Sequence, residues 1–215
     1  MIFKECTLKQ LDETFSLKPL PLKHMAVLQE WLNGTNEISE QERSYLLILQ
    51  RYLQEHVDDW NEQELSLHFI GPVFSLIQFD YERKFNLFAQ RPFSGIVDGI
   101  EISGKPDEMI ATGYREPKKP FFCFQEYKKE QDANGDPAGQ ALAAMLVAQE
   151  INEHQFPIYG CYVRGRSWFF MALQGKEYSI SDAYTATKTE IFDILQILKT
   201  LKQIIIERVT KYSSP

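Results

Sequence analysis

The spacing of apolar positions changes twice along the chain, from helical to extended and back to helical. This predicts a mixed α/β protein with helical ends. Within residues 1–60, a short amphipathic run over 23–32 stops at Asn33-Gly34. Ser39-Glu40-Gln41-Glu42 is then a capping box that opens a helix through Tyr45, Leu46, Leu49, Tyr52 and Leu53. The next helix, over 61–76, begins with Asn61 as cap and Glu64 three residues on, and Leu65, Phe69, Val73 and Leu76 recur at helical spacing. Gly71-Pro72 should kink or split it.

The pattern turns extended at Phe79. Stretches over 79–102 are β-prone and broken near Arg91-Pro92, and the 97–102 part leads through Gly104-Lys105 into Pro106-Asp107. The run 107–112 is joined by the turn-rich segment 113–120 to Phe121-Phe122-Cys123-Phe124, which ends in Glu126-Tyr127-Lys128. This predicts an antiparallel hairpin. After a polar loop, 129–135, Asp136-Pro137 reads as N-cap and N1 proline. The helix that follows is rich in small residues (Ala138, Gly139, Ala141, Ala143, Ala144, Ala148), which let it lie close against a sheet. Runs 157–163 and 167–173 read as strands turning at Arg164-Gly165-Arg166, and a last strand may be expected over 177–180.

Thr187-Lys188-Thr189-Glu190 reads as a capping box for a C-terminal helix, 187–211, with an apolar stripe of Ile191, Ile194, Leu195, Leu198, Leu201 and Ile205. Two covers fit that stripe: the N-terminal helices, or a second copy in a homodimer that would place two active sites for two strands. Residues 212–215 read as a frayed end.

At 215 residues the chain is most economically one domain, 1–215. It divides into an N-terminal helical extension (1–60), a core (61–182) and the C-terminal helix (187–211). With 44% apolar and 13% aromatic residues the composition is that of a soluble globular protein. No apolar run reaches the length of a membrane span and the first residues lack a signal-peptide stretch, so a cytoplasmic protein with no membrane partner is expected. Cys6, Cys123 and Cys161 form no CxxC, which argues against a zinc ribbon or a disulfide framework, and the latter two fall in apolar strands as core residues. His24, His56, His68 and His154 lack ligand spacing, and there is no Walker or GxGxxG motif.

The net charge of −7 weighs against a protein whose main task is to grip polyanions, but phosphate contacts need only a local basic rim. Candidates for that rim are Arg115, Lys118, Lys119, Lys129, Arg164 and Arg166. The bland reading of each is a solvated loop charge.

Alternate side chains of a strand share a face, so Glu126 and Lys128 should point together, preceded on that face by Phe122 and Phe124. Antiparallel pairing returns this strand past Asp107. Two carboxylates converging with a lysine form an oxygen-donor arrangement that can hold Mg²⁺ and leave room for water and a phosphate.

Pro106-Asp107, the apolar strand ending in Glu126-Tyr127-Lys128 and the small-residue helix follow one another within residues 62–164. In that order they resemble the PD-(D/E)xK nuclease superfamily, whose fold is restriction-endonuclease-like. Glu-x-Lys occurs three times in the chain, and only at 126–128 does this context surround it. The resemblance implies an α/β core of helix, three-stranded meander, helix and strands in a mixed sheet. It implies metal-dependent hydrolysis of phosphodiester bonds in nucleic acid, with DNA the expected substrate, and Mg²⁺ or Mn²⁺ as cofactor.

By the same resemblance Asp107 is the central metal ligand, Glu126 the second, and the Tyr127 carbonyl a further oxygen. Lys128 would orient the attacking water and stabilise charge on the phosphoryl group rather than abstract a proton. Glu64 matches the acid that the family often carries on its first helix, although it also stands where a capping-box partner of Asn61 belongs. Gln140 matches the glutamine of RecB-type and lambda-exonuclease-like members, whose motif continues to a tyrosine where this chain has Ala144. Glu101 reads as surface charge. Tyr81, Phe85, Phe88, Phe93, Tyr114 and Trp168 could stack on bases if exposed, and otherwise belong to the core. The rival functions are a catalytically inactive nuclease-like module that binds nucleic acid or protein, and an interaction protein assembled through its C-terminal helix.

Overall fold

A computed structural model describes residues 1–132 and 135–212. The middle of the polar loop 129–135 and the last three residues of the tail read as a frayed end lie outside the described residues, and Tyr212 of that tail ends a helix. The chain begins with a 3-10 turn (Phe3–Glu5), α1 (Leu8–Phe15), β1 (Lys18–Pro19), α2 (Ala26–Leu32) and α3 (Glu40–His56). Next come α4 (Glu62–Leu65), a π-helical turn (Ser66–Ile70) and α5 (Gly71–Ile77). The strands β2 (Phe85–Ala89), β3 (Phe93–Val97), β4 (Ile100–Gly104), β5 (Glu108–Thr112) and β6 (Lys118–Lys128) lead to α6 (Pro137–Ile151). Last are β7 (Ile158–Arg164), β8 (Ser167–Gln174), β9 (Glu177–Ile180), β10 (Tyr184–Thr185) and α7 (Ile191–Tyr212).

The main sheet runs β1-β9-β8-β7-β6-β5-β2, with β10 also on β8. It is mixed: β6–β7 and β1–β9 are parallel and the other pairs antiparallel. The parallel β6–β7 step needs a crossover, which α6 supplies. One face of the sheet carries α2, α3, α5 and α7 over a core that includes Trp31, Phe74 and Trp168. The other carries α6, α1 and the N-terminal turn.

Helix α6 is buried from Pro137 to Gln149 because it is covered on both sides. The sheet lies beneath it and the β3–β4 hairpin above it, and its small residues permit both approaches. A Cβ on Gly139 would stand 2.7 Å from the backbone of Cys6 and Thr7, and one on Gly95 of the hairpin 2.8 Å from Val147.

Four local expectations change. The β-prone stretches over 79–102 are broken a second time, inside 97–102: Asp98 and Gly99 both have positive φ (47° and 81°) and form a hairpin turn, so β3 and β4 make a separate two-stranded sheet. Gly71-Pro72 does not break the helix. The π-helical turn just before it takes up the irregularity, and α4, the turn and α5 follow without interruption. The expected box at Thr187 is absent, because α7 starts at Ile191 and the Glu190 carboxylate accepts from the Thr185 N–H at 2.8 Å. Phe122 leaves the face of Phe124. The β5–β6 register skips a residue there (Ile110↔Cys123, Ala111↔Phe121), and this bulge sends Phe122 to the core on the α7 side while Phe124 packs on the α6 side.

The stripe of α7 is covered within the chain. Ile191, Ile194, Leu195, Leu198, Leu201 and Ile205 are all buried, and Trp31 Nε1 donates to the Ile197 carbonyl at 2.8 Å. That stripe is therefore not left open to a second copy, and nothing else on α7 speaks for the expected homodimer. Among the described residues no helix is long and apolar enough to cross a membrane. Cys123, Cys161, Phe85, Phe88, Phe93 and Trp168 are core residues, whereas Tyr114 is exposed with Arg83 over its ring.

Candidate active site

The register of β5 and β6 assembles the site. Glu108 pairs with Gln125, so Asp107, the residue before β5, stands across from the Glu126 end of β6. Directly opposed residues share a face, which puts Asp107 with Glu126 and Lys128, while Glu108, Gln125 and Tyr127 turn to the other side.

Asp107 is held at both oxygens. Its Oδ2 accepts from the Tyr127 N–H at 2.7 Å, and its Oδ1 from Gln90 Nε2 at 2.6 Å. Gln90 also donates its backbone N–H to the Asp107 carbonyl at 2.9 Å. It does so from the left-handed region, φ 53°, a conformation that costs a non-glycine residue energy. A strand residue sends its N–H and C=O to the same edge, so the Tyr127 carbonyl also leaves β6 on the Asp107 side.

Glu126 is only 5% exposed. Burial first, and then the neighbouring charge of Asp107, pushes its carboxyl well above the usual range, and Lys128 opposes this. Burial also raises Asp107, against the pull of the Tyr127 N–H, Lys128 and Gln90.

Lys128 Nζ lies 3.1 Å from Glu62 Oε1. The first-helix acid that reaches the cluster is thus Glu62, two residues before the expected Glu64. Glu64 is committed to its cap: its carboxylate accepts from the Asn61 N–H at 2.8 Å while Asn61 Oδ1 accepts from the Glu64 N–H at 2.9 Å. Gln140, 4% exposed on the first turn of α6, lines the same groove as Glu126 and Lys128. The groove, ≈ 430 Å³, is completed by Lys4, Gln90, Lys105 and Glu62.

A second hollow of ≈ 360 Å³ opens on the opposite side of Asp107, lined by Glu62, Gln90, Glu108 and Tyr127 among others. Burial pushes the Glu108 carboxyl up to about 7; the Tyr127 hydroxyl lowers it and the Asp107 charge raises it. Its Oε2 has no hydrogen-bond partner among the described residues.

The expected basic rim is rearranged. Lys118 and Lys119 begin β6, seven or eight residues before Glu126, which at about 3.3 Å each puts them about 25 Å from the carboxylates. Lys119 pairs with Glu153, and Arg115 lies in the same distant turn. Arg166 is a clamp: its guanidinium is ion-paired with Glu130 (Nε to Oε1, 3.0 Å) and donates to Asp58 at 2.7 Å, and its backbone N–H donates to Glu130 at 2.8 Å. It thereby anchors the loop that follows Lys128. Arg164 sits beside Lys128 on the parallel neighbour strand, and Lys129 borders a shallow hollow with Glu62. The cations in the groove itself are Lys4, Lys105 and Lys128.

Mg²⁺ and Mn²⁺ suit this donor set. Mg²⁺ keeps several waters and takes one or two carboxylates together with substrate phosphate. Asp107 and Glu126 supply that pair. No group of three or more His, Cys, Asp and Glu among the described residues is close enough to enclose a metal without such help. Comparison with known proteins adds no relative: no family model matches the chain, and no curated protein matches it significantly.

Proposed function

We propose that the protein is a metal-dependent phosphodiester hydrolase acting on nucleic acid, with DNA as the substrate, built on a restriction-endonuclease-like core of the PD-(D/E)xK kind. The observation that carries this reading is the meeting of the Asp107 and Glu126 carboxyls with the Lys128 amine in one open groove. The element order supports it: helix 62–77, three antiparallel strands β2-β5-β6, helix α6 and the parallel strand β7, with the β3–β4 hairpin inserted between β2 and β5.

In this reading Asp107 and Glu126, with the Tyr127 carbonyl, would hold Mg²⁺ or Mn²⁺. The bound cation would supply a water of lowered pKa and a Lewis acid for the phosphoryl oxygens. Asp107 is oriented for this by Tyr127 and Gln90. Lys128, steered by Glu62, presents its ammonium to the oxygens on which charge develops, and Gln140 offers an amide to the same space. Glu62 takes the first-helix role.

The test is incubation with labelled single- and double-stranded DNA in Mn²⁺, with EDTA and the Asp107→Asn and Glu126→Gln variants as controls. Cleavage that needs both the cation and both carboxylates is the expected result. Cleavage that survives in either variant would overturn the assignment.

A further inference from the structure

The geometry points to a second anion subsite in the same groove, in which Lys4 and Lys105 hold the phosphate next to the scissile one, so that the site is built for a polynucleotide rather than a lone phosphodiester. This rests on the nuclease reading above. The two lysines are 101 positions apart and meet because the N-terminal segment is laid against β4. Ser103 donates its N–H to the Met1 carbonyl at 3.0 Å, and Ile2 bridges to Ser103 in parallel. Phe3 then seats on Gly104, where a Cβ would stand 2.6 Å from its ring, so any side chain at 104 would displace the turn that carries Lys4.

Both lysines line the groove that Asp107, Glu126 and Lys128 also line. Two other cations near the site are already paired: Lys128 with Glu62, and Arg166 with Glu130 and Asp58. Among the described residues no ion pair or hydrogen bond engages the side chain of Lys4 or Lys105.

The charge balance favours an anion there. Glu62, Asp107 and Glu126 face Lys4, Lys105 and Lys128, which is formally neutral, and a divalent cation on the carboxylates leaves the groove at +2. In a chain of net charge −7 such a patch is local, and it suits the phosphates on either side of a cleaved bond.

The experiment is anisotropy of a fluorescent single-stranded oligonucleotide in Ca²⁺ over a range of salt, with wild type, the Lys4→Ala/Lys105→Ala double variant, its Arg/Arg counterpart, and Lys118→Ala as a distant control. Hydrolysis of bis(p-nitrophenyl) phosphate and of the oligonucleotide in Mn²⁺ is followed in parallel. The double variant should bind about tenfold more weakly, with a log–log salt slope reduced by about 1.4, the value for two lost single-strand phosphate contacts. Its loss of rate on the oligonucleotide should exceed its loss on the isolated diester. Arg/Arg should restore binding and Lys118→Ala leave it unchanged. A double variant with wild-type affinity and slope, or a wild type that binds no oligonucleotide, would overturn the subsite. A wild type that hydrolyses neither substrate would overturn the nuclease reading instead, and the anisotropy would still decide the subsite.

Discussion

The backbone N–H of Tyr127 donates to Oδ2 of Asp107 at 2.7 Å. The strand that carries one carboxylate of the site thus fixes the orientation of the other with its own main chain. No substitution at Tyr127 other than proline removes this bond, whereas loss of the Asp107 carboxylate leaves that N–H and the Gln90 amide without their acceptor. Asp107→Ala should therefore do two separable things. Metal-dependent cleavage should fall about 10³-fold, the equivalent of several kcal/mol. Stability should change by about 1–3 kcal/mol at most in chemical denaturation, because the orphaned donors cost something while a strained carboxyl pair is relieved.

Glu62 and Glu64 should separate cleanly. Glu62→Gln removes the charge that steers Lys128 and should lower cleavage about 10–100-fold with little effect on unfolding. Glu64→Ala removes the capping box and should cost about 1 kcal/mol of stability with cleavage intact. Steady-state cleavage and urea titration of the two variants together check this, and the opposite pattern would return the first-helix role to Glu64.

That distinction is partly legible in the sequence. A glutamate that closes a capping box has spent its carboxylate on the N-cap N–H, so the acid free to reach a neighbour must lie elsewhere in the first turn, and Glu62 is there. The hairpin 107–128 can be read from its turn residues, and from the alternation that puts Glu126 with Lys128. Asp98-Gly99 carries an equally strong hairpin signal, which the reading of 79–102 as stretches broken near Arg91-Pro92 does not use. Other features leave no local trace. The bulge at Phe122 arises from pairing across β5, β1 and β10 have two residues each, and the meeting of Lys4 with Lys105 depends on long-range docking of the N-terminus. The glutamine at 90 owes its place to a left-handed backbone that no pattern of polarity announces.

Gln90 offers a test of positioning without loss of a ligand. Gln90→Gly keeps the backbone conformation, which glycine adopts without strain, and deletes only the amide that orients Asp107. Mn²⁺ affinity by calorimetry should weaken about 10–100-fold while thermal stability holds or rises slightly. Unchanged Mn²⁺ affinity would remove Gln90 from the site.

Burial of Glu108 makes stability depend on pH. Its carboxyl is raised to about 7 in the folded protein, so the folded state holds the proton more tightly than the unfolded chain. The stability it contributes is complete below about pH 4, the range of an ordinary carboxyl, and is lost as pH rises through about 7. In EDTA, Glu108→Gln should flatten the decline in unfolding free energy between about pH 4 and 7. The span at stake is about 3 kcal/mol. Parallel curves for wild type and variant across this range would contradict the assignment.

The most direct measurement is the anomalous difference density of Mn²⁺ soaked into crystals of the protein. The account predicts one peak within coordination distance of both the Asp107 and Glu126 carboxylates, on the side of β6 from which the Tyr127 carbonyl leaves, and its loss in Asp107→Asn. Mn²⁺ bound only elsewhere, or a peak that persists in the variant, would contradict it.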